Sequence, residues 1–454
     1  MSQQHMTQNV IRTPAWKRAK IGLLGAVVLA FFIVFGFWSG VPAGERALPF
    51  WIGVAVLFVM LSAFSLTAWH LMVRPLPAGQ TVLVQPIRVT FRQALALLLS
   101  VGQYGFIVGA FWDEVWHRQY GIPFGDDFFW RPHLLMYFGI AVTVLLAFAG
   151  LYTLIRGGQG TFQQRFRANP VIGLLVLAGG FLLYVLPADP IWHAIYGEDL
   201  TAWSIPHLLL LVSLVSILLL VTAIHMTALS RREWGTPGQL RLSAALPLLM
   251  FAAISLIWNQ FFITEWDSGV RFVLARPEWL LPVLIASGAA FIGVMANHTL
   301  RVFGAATISG ILALALRFAL IQLFDAENIM QVNSWVLALP SLVLVDLWYV
   351  FHRGAWIGAG VAAALGMWLA VMAVFNRFFP LYPITNLPVA FVMLMVASLG
   401  MSRLGAAFGD YLAEGNQQIE EAPAGTRLPL VSLGVAAATV VFIVFFVTTA
   451  TPPR

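Results

Sequence analysis

Apolar runs of about twenty residues follow one another along nearly the whole chain, separated by short polar segments. A helix needs about 20 apolar residues to cross the ~30 Å hydrocarbon core of a bilayer, so each run predicts one transmembrane helix. The pattern predicts helices over 20–42, 48–73, 93–113, 133–155, 170–188, 206–229, 241–264, 278–299, 302–324, 333–352, 355–376, 388–412 and 428–448. The expected fold is all-α, a polytopic membrane protein of about 13 transmembrane helices whose immediate partner is the lipid bilayer. Residues 1–19 read as a cytoplasmic N-terminal tail and 20–92 as two N-terminal transmembrane helices with an inside loop. Residues 93–299 hold a three-hairpin repeat, and 300–454 the C-terminal transmembrane helices.

The polar residues that interrupt this pattern recur in order. Trp112-Asp113-Glu114-Val115-Trp116-His117 leads through Tyr120-Gly121 and Asp126-Asp127 to Trp130-Arg131-Pro132-His133. Asp189-Pro190-Ile191-Trp192-His193 leads through Tyr196-Gly197, Asp199 and Trp203 to Pro206-His207. The two aspartates are 76 residues apart and the two final histidines 74. A third segment follows at a similar interval, with Trp258-Asn259, Ile263, Trp266 and Arg276-Pro277-Glu278-Trp279. There Asn259 replaces the aspartate, Ile263 the first histidine and Glu278 the second. Helices three to eight of the predicted series are thus an internal repeat of three hairpins.

Composition changes the picture in three ways. The chain is 60% hydrophobic and 10% charged, against about 25% charged in soluble proteins, which leaves no sizeable soluble domain. Its net charge of +6 is then a topological signal, and no nucleic-acid partner is expected. Lys17, Arg18, Lys20, Arg74, Arg88, Arg92, Arg156, Arg165, Arg167, Arg231, Arg232 and Arg241 fall in segments that alternate to one side. This predicts a cytoplasmic N-terminus, with the Asp/His hairpins on the outer face of a bacterial or archaeal cytoplasmic membrane. No small-residue cleavage site follows the first apolar run, so a retained helix is expected there. The absence of cysteine excludes disulfides, thiolate metal sites, iron–sulfur clusters and covalent haem.

Asp113 and His117 are four residues apart, which puts both side chains on one face of a helix, one turn apart. His133 follows a proline, as suits the first turn of the returning helix. A carboxylate and two imidazoles with open positions suit a divalent transition metal, with copper, zinc and iron as the candidates. The expected metal ligands are Asp113, His117, His133, Asp189, His193 and His207, with Asn259 and Glu278 a weaker third locus. The alternative is a set of solvated interfacial polar residues, which would not require one order twice. Glu114, Asp126, Asp127, Glu198 and Asp199 are either acceptors for ligand ring N–H groups or ordinary loop carboxylates. Trp116 and Trp192 are expected as interfacial anchors. Asp346, inside an apolar run, is either functional or a structural partner for Arg317 or another helix. His5, His70, His225, His298 and His352 stand apart from the motif and are not expected to be ligands.

The order Asp-x3-His, tryptophan before the first histidine, aromatic loop, proline and second histidine resembles the C subunit of the particulate methane and ammonia monooxygenases. The resemblance covers roughly residues 95–295. That family carries an Asp-x3-His…His copper motif on one hairpin and an Asn-x3-His…His motif on the next. The unit Asp189/His193/His207 is similar to the former. The unit Asn259/Ile263/Glu278 is similar to the latter without its histidines, and Asp113/His117/His133 is an extra copy. The resemblance implies copper at the outer face and a copper-dependent monooxygenase or a subunit of one. It also implies dioxygen activation, a small apolar molecule or ammonia as substrate, and other membrane subunits or further copies of the chain as partners. A membrane metal transporter, a metal-delivery protein and a non-catalytic assembly subunit are the other readings of the same residues.

Overall fold

A computed structural model describes residues 47–72, 74, 87–120, 129–158, 160–196, 205–228, 244–263, 279–327, 334–352, 354–375, 386–414 and 429–451. The expected span 20–42 lies outside these described residues. The described residues are helical, in chain order α1 (Ala47–Met72), α2 (Val89–Tyr120), α3 (Arg131–Arg156), α4 (Phe162–Ala168), α5 (Pro170–Val185), α6 (Ala188–Tyr196) and α7 (Ile205–Ala228). There follow α8 (Ala245–Phe262), α9 (Leu280–Leu300), α10 (Ala305–Leu323), α11 (Leu339–Phe351), α12 (Trp356–Ala370), α13 (Leu387–Glu414) and α14 (Leu430–Thr448). Ten helical stretches among the described residues are long and apolar enough to cross a membrane. The fold is that of an all-α polytopic membrane protein.

Local chemistry explains where the helices depart from the expected spans. α2 is 32 residues long, about 48 Å at 1.5 Å per residue, and so outruns the ~30 Å apolar layer. Its last turns carry Asp113 and His117. The second rising helix breaks at Leu186–Pro187, so Asp189 sits on the separate nine-residue α6. Pro340 stands in the first turn of α11, and the residues before it, Ser334–Ala338, wind as a 3-10 turn. α12 ends in a π-helical turn over Val371–Phe375.

Two hairpins close into a four-helix ring. α2 packs on α3 and on α7, while α5 packs on α3 and on α7. Glycines set the closest approach, since a β-carbon on Gly139 of α3 would lie 2.6 Å from the Gly102 carbonyl oxygen of α2. Gln103 then donates to Thr143 Oγ1 across that seam at 2.7 Å. Arg92, at the start of α2, donates to the carbonyl of Thr227, at the end of α7, at 3.0 Å. α2 and α7 are therefore antiparallel, and the end of α2 lies level with the start of α7. Both Asp/His hairpins face one end of the bundle. α1 packs on α4 and α5 and α14 on α2, while α8 packs on α7 and α10, and α9 on α13, α11 and α12.

Basic residues at the opposite end cap helices. The short α4 opens with a reciprocal cap between Thr161 and Gln164. Its Arg165 donates to the Leu154 carbonyl at the end of α3, at 2.7 Å. Arg167 donates to the carbonyls of Leu71 and Arg74 at the end of α1. These guanidinium groups satisfy carbonyls that have no partner inside their own helices.

Candidate metal centres

The first site is built by one helix end and one helix start. Asp113 and His117 project from the same face of α2, and Pro132 in the first turn of α3 brings His133 back against them. Asp113 Oδ1 lies 3.4 Å from His117 Nε2 and 2.9 Å from His133 Nε2. The second site repeats this across α6 and α7, where Asp189 Oδ1 lies 3.6 Å from His193 Nε2 and 3.3 Å from His207 Nε2. In each set one donor atom per residue lies within 4.8 Å of the other two. Among the described residues these are the groups of three or more His, Cys or acidic side chains that could hold a metal ion.

The aspartates test whether the sets fit a metal. Asp113 Oδ1 and Asp189 Oδ1 are both buried without a hydrogen bond, although imidazole nitrogens face them at close range. Such an oxygen is satisfied either by an imidazole N–H turned toward it or by a cation held between the three groups. Two imidazole nitrogens and a carboxylate oxygen converging on one point match the donors of a first-row divalent metal.

The surroundings of the two sites differ. Around the first, Trp112 stacks on Phe324 at 5.6 Å between ring centroids, and Trp116 packs edge-on against Trp112 at 4.8 Å. Trp130 meets Trp116 at 5.7 Å and the His117 ring at 4.6 Å. Trp116 is 7% exposed, so it is a core residue of this cluster and not the expected interfacial anchor; α10 and α14 cover the face that would otherwise meet lipid. Glu114 is not a loop carboxylate either. It lies within α2, accepts two hydrogen bonds from Arg118, at 3.0 and 2.6 Å, and one from Gln260 on α8. In the second site the ligand-bearing α6 packs on its chain neighbours α5 and α7, and Trp192 is half-buried.

The third unit keeps the hairpin and not the donors. Asn259 is 1% exposed and Ile263 fully buried, both packed in the core. Glu278 lies outside the described residues, as do Asp126, Asp127, Glu198 and Asp199.

Asp346 proves to be a helix cap. It accepts from the backbone N–H groups of Ala306 and Thr307, at 3.2 and 2.8 Å, and from the Thr307 hydroxyl at 2.6 Å. The Asn297 amide donates to it at 2.8 Å. It caps α10 from a neighbouring helix and does not pair with Arg317. Arg317 instead lies over the Phe111 ring and reaches Gln260 Oε1 at 3.5 Å. The described histidines outside the motif have protein partners. His225 meets Ser100 Oγ at 2.8 Å, His298 meets Asp410 and Tyr349, His352 stacks on Trp348, and His70 meets Arg74.

No family model, no curated protein and no solved structure matches this chain.

Proposed function

We propose that this integral membrane protein binds a transition metal, copper foremost, at two His2Asp sites on the outer face of the bundle. One observation carries the reading. Two sets of Asp, His and His, 76 residues apart in sequence, each bring three donor atoms within 4.8 Å around an aspartate oxygen that is buried without a hydrogen bond. An interfacial polar patch would not require the same three donors to converge twice. Zinc and iron accept the same donors, and nitrogen-rich sites favour copper over both in intrinsic affinity.

The kinship proposed with the copper membrane monooxygenases rests on the residue order of the hairpins. A copper ion held there would supply one-electron chemistry toward dioxygen. The residues of this chain would present two imidazoles and a carboxylate and keep the remaining positions open for a small molecule. Trp130 lies against the His117 and His133 rings and covers one side of the first set. A small apolar molecule or ammonia is the substrate class in keeping with so confined a site. Transport is a weaker reading, because Asp346 is committed to capping α10 and Arg317 is held by Phe111 and Gln260.

Elemental analysis of purified protein is expected to find two metal ions per chain, one after His117→Ala, one after His193→Ala and none after both. Copper in these sites gives a Cu(II) resonance with nitrogen hyperfine coupling. Metal retained at full stoichiometry in the double variant sinks the site assignment, and zinc alone removes the oxygenase reading.

A further inference from the structure

The third hairpin has lost its imidazoles, yet one of its residues reaches the first site. Position by position, Asp113-Glu114 corresponds to Asp189-Pro190 and to Asn259-Gln260. The residue after the carboxylate is therefore glutamate, proline and glutamine in the three units. The glutamate and the glutamine hydrogen-bond to each other, Gln260 Nε2 donating to Glu114 Oε2. The other Glu114 oxygen is held by Arg118, one turn further along α2. Gln260 Oε1 in turn accepts from Arg317, which is 2% exposed. Gln119 also donates to the Asp325 carbonyl beyond the end of α10, at 3.3 Å. The turn carrying Asp113 and His117 is thus tied on its far side to α8 and α10. At the corresponding position of the second unit stands Pro190, whose side chain can make no such tie, and α6 follows a helix break.

Resting on the metal-binding reading above, we propose that Gln260 and Arg317 are positioning residues for the first site. Through Glu114 they hold the Asp113–His117 turn in its ligating geometry, so that the first site retains its metal while the second exchanges it. A ligand set held rigid before binding loses little on capture and releases slowly. The emptied third unit then has a role as the brace of the first. The second site, more open and carried on a short helix, is the point where metal enters or leaves.

Full-length protein loaded with Cu(II) and challenged with excess chelator tests this, with copper remaining followed over time. Two phases are expected. His193→Ala removes the fast one and His117→Ala the slow one. Gln260→Leu, and the milder Gln260→Asn, which shortens the reach, should accelerate the slow phase severalfold, the change worth about 1 kcal/mol for one lost hydrogen bond, and leave the initial two ions in place. In a His193→Ala background the Cu(II) resonance of the first site should broaden with either substitution, a change that loss of general stability would not produce. An unchanged slow phase in both variants overturns the proposal, as does a single rate for both ions in the unmodified protein; the two-site reading survives either result. A chain that binds no copper or other metal removes both.

Discussion

Replacing Asp346 with alanine separates an intramembrane carboxylate that works from one that only caps. Asp346 is 3% exposed and accepts four hydrogen bonds, from two backbone N–H groups of α10, the Thr307 hydroxyl and the Asn297 amide. Alanine leaves the first N–H groups of α10 without an acceptor in a region that water does not reach. An unsatisfied buried donor costs about 1–3 kcal/mol and a lost N-cap about 1 kcal/mol. The Thr307 hydroxyl can rotate to another acceptor and the cap is the same pair of N–H bonds, so the losses do not add in full, and the net cost is about 2–4 kcal/mol. Asp346→Asn keeps one accepting oxygen and loses the charge, and should cost about half as much. The assay is thermal denaturation of the purified protein in detergent, with metal content measured on the same samples. The alanine variant should melt several degrees lower and the asparagine variant between it and wild type, both with full metal content. An alanine variant within about 1 kcal/mol of wild type refutes the capping argument. So does an asparagine variant that melts normally but loses its metal.

Three further substitutions probe the scaffold. Gly139→Val puts side-chain atoms against the backbone of α2, where a β-carbon already meets Gly102 O at 2.6 Å; it should cost about 1–3 kcal/mol and lower metal occupancy in the His193→Ala background but not in the His117→Ala background, read by elemental analysis. Ser100→Ala strands the buried His225 imidazole and should cost about 1–3 kcal/mol, whereas adding His225→Leu should recover most of the loss, as thermal denaturation of both variants would show. Arg167→Met removes the donors to Leu71 O and Arg74 O and should speed amide exchange in the last turn of α1, measured by hydrogen-exchange mass spectrometry, with α9 unchanged.

Length and apolarity made most helices legible, because a segment in lipid must satisfy its own backbone and so declares itself by composition. The pairings inside each Asp/His set were legible for a different reason. A spacing of four, then a proline before the last histidine, is geometry written directly in sequence. What could not be read was how hairpins meet one another. Trp116 has the composition of an interfacial anchor, and only the placement of α10 and α14 buries it. Glu114 looked like a loop acid because the apolar run stops near residue 113, yet α2 continues to Tyr120. Its tie to Gln260 spans 146 residues, and no local pattern reports such a contact. Asp346 was ambiguous because a carboxylate in an apolar run has the same signature whether it caps, pairs or reacts; the free N–H groups of α10 decided it.

The four-helix ring has one more consequence. Exchange α2 with α5 and α3 with α7, and its contacts map onto themselves, the α2–α7 seam becoming the α5–α3 seam. That order of contacts is the one two separate copies of a hairpin would make across an isologous interface. In a symmetric dimer every substitution appears twice, so neither half can specialise. Joining the halves in one polypeptide releases that constraint, and a glutamate can stand in one half where a proline stands in the other. Covalent linkage of two related hairpins leaves each Asp/His set free to acquire its own surroundings, as Glu114 in one and Pro190 in the other already show.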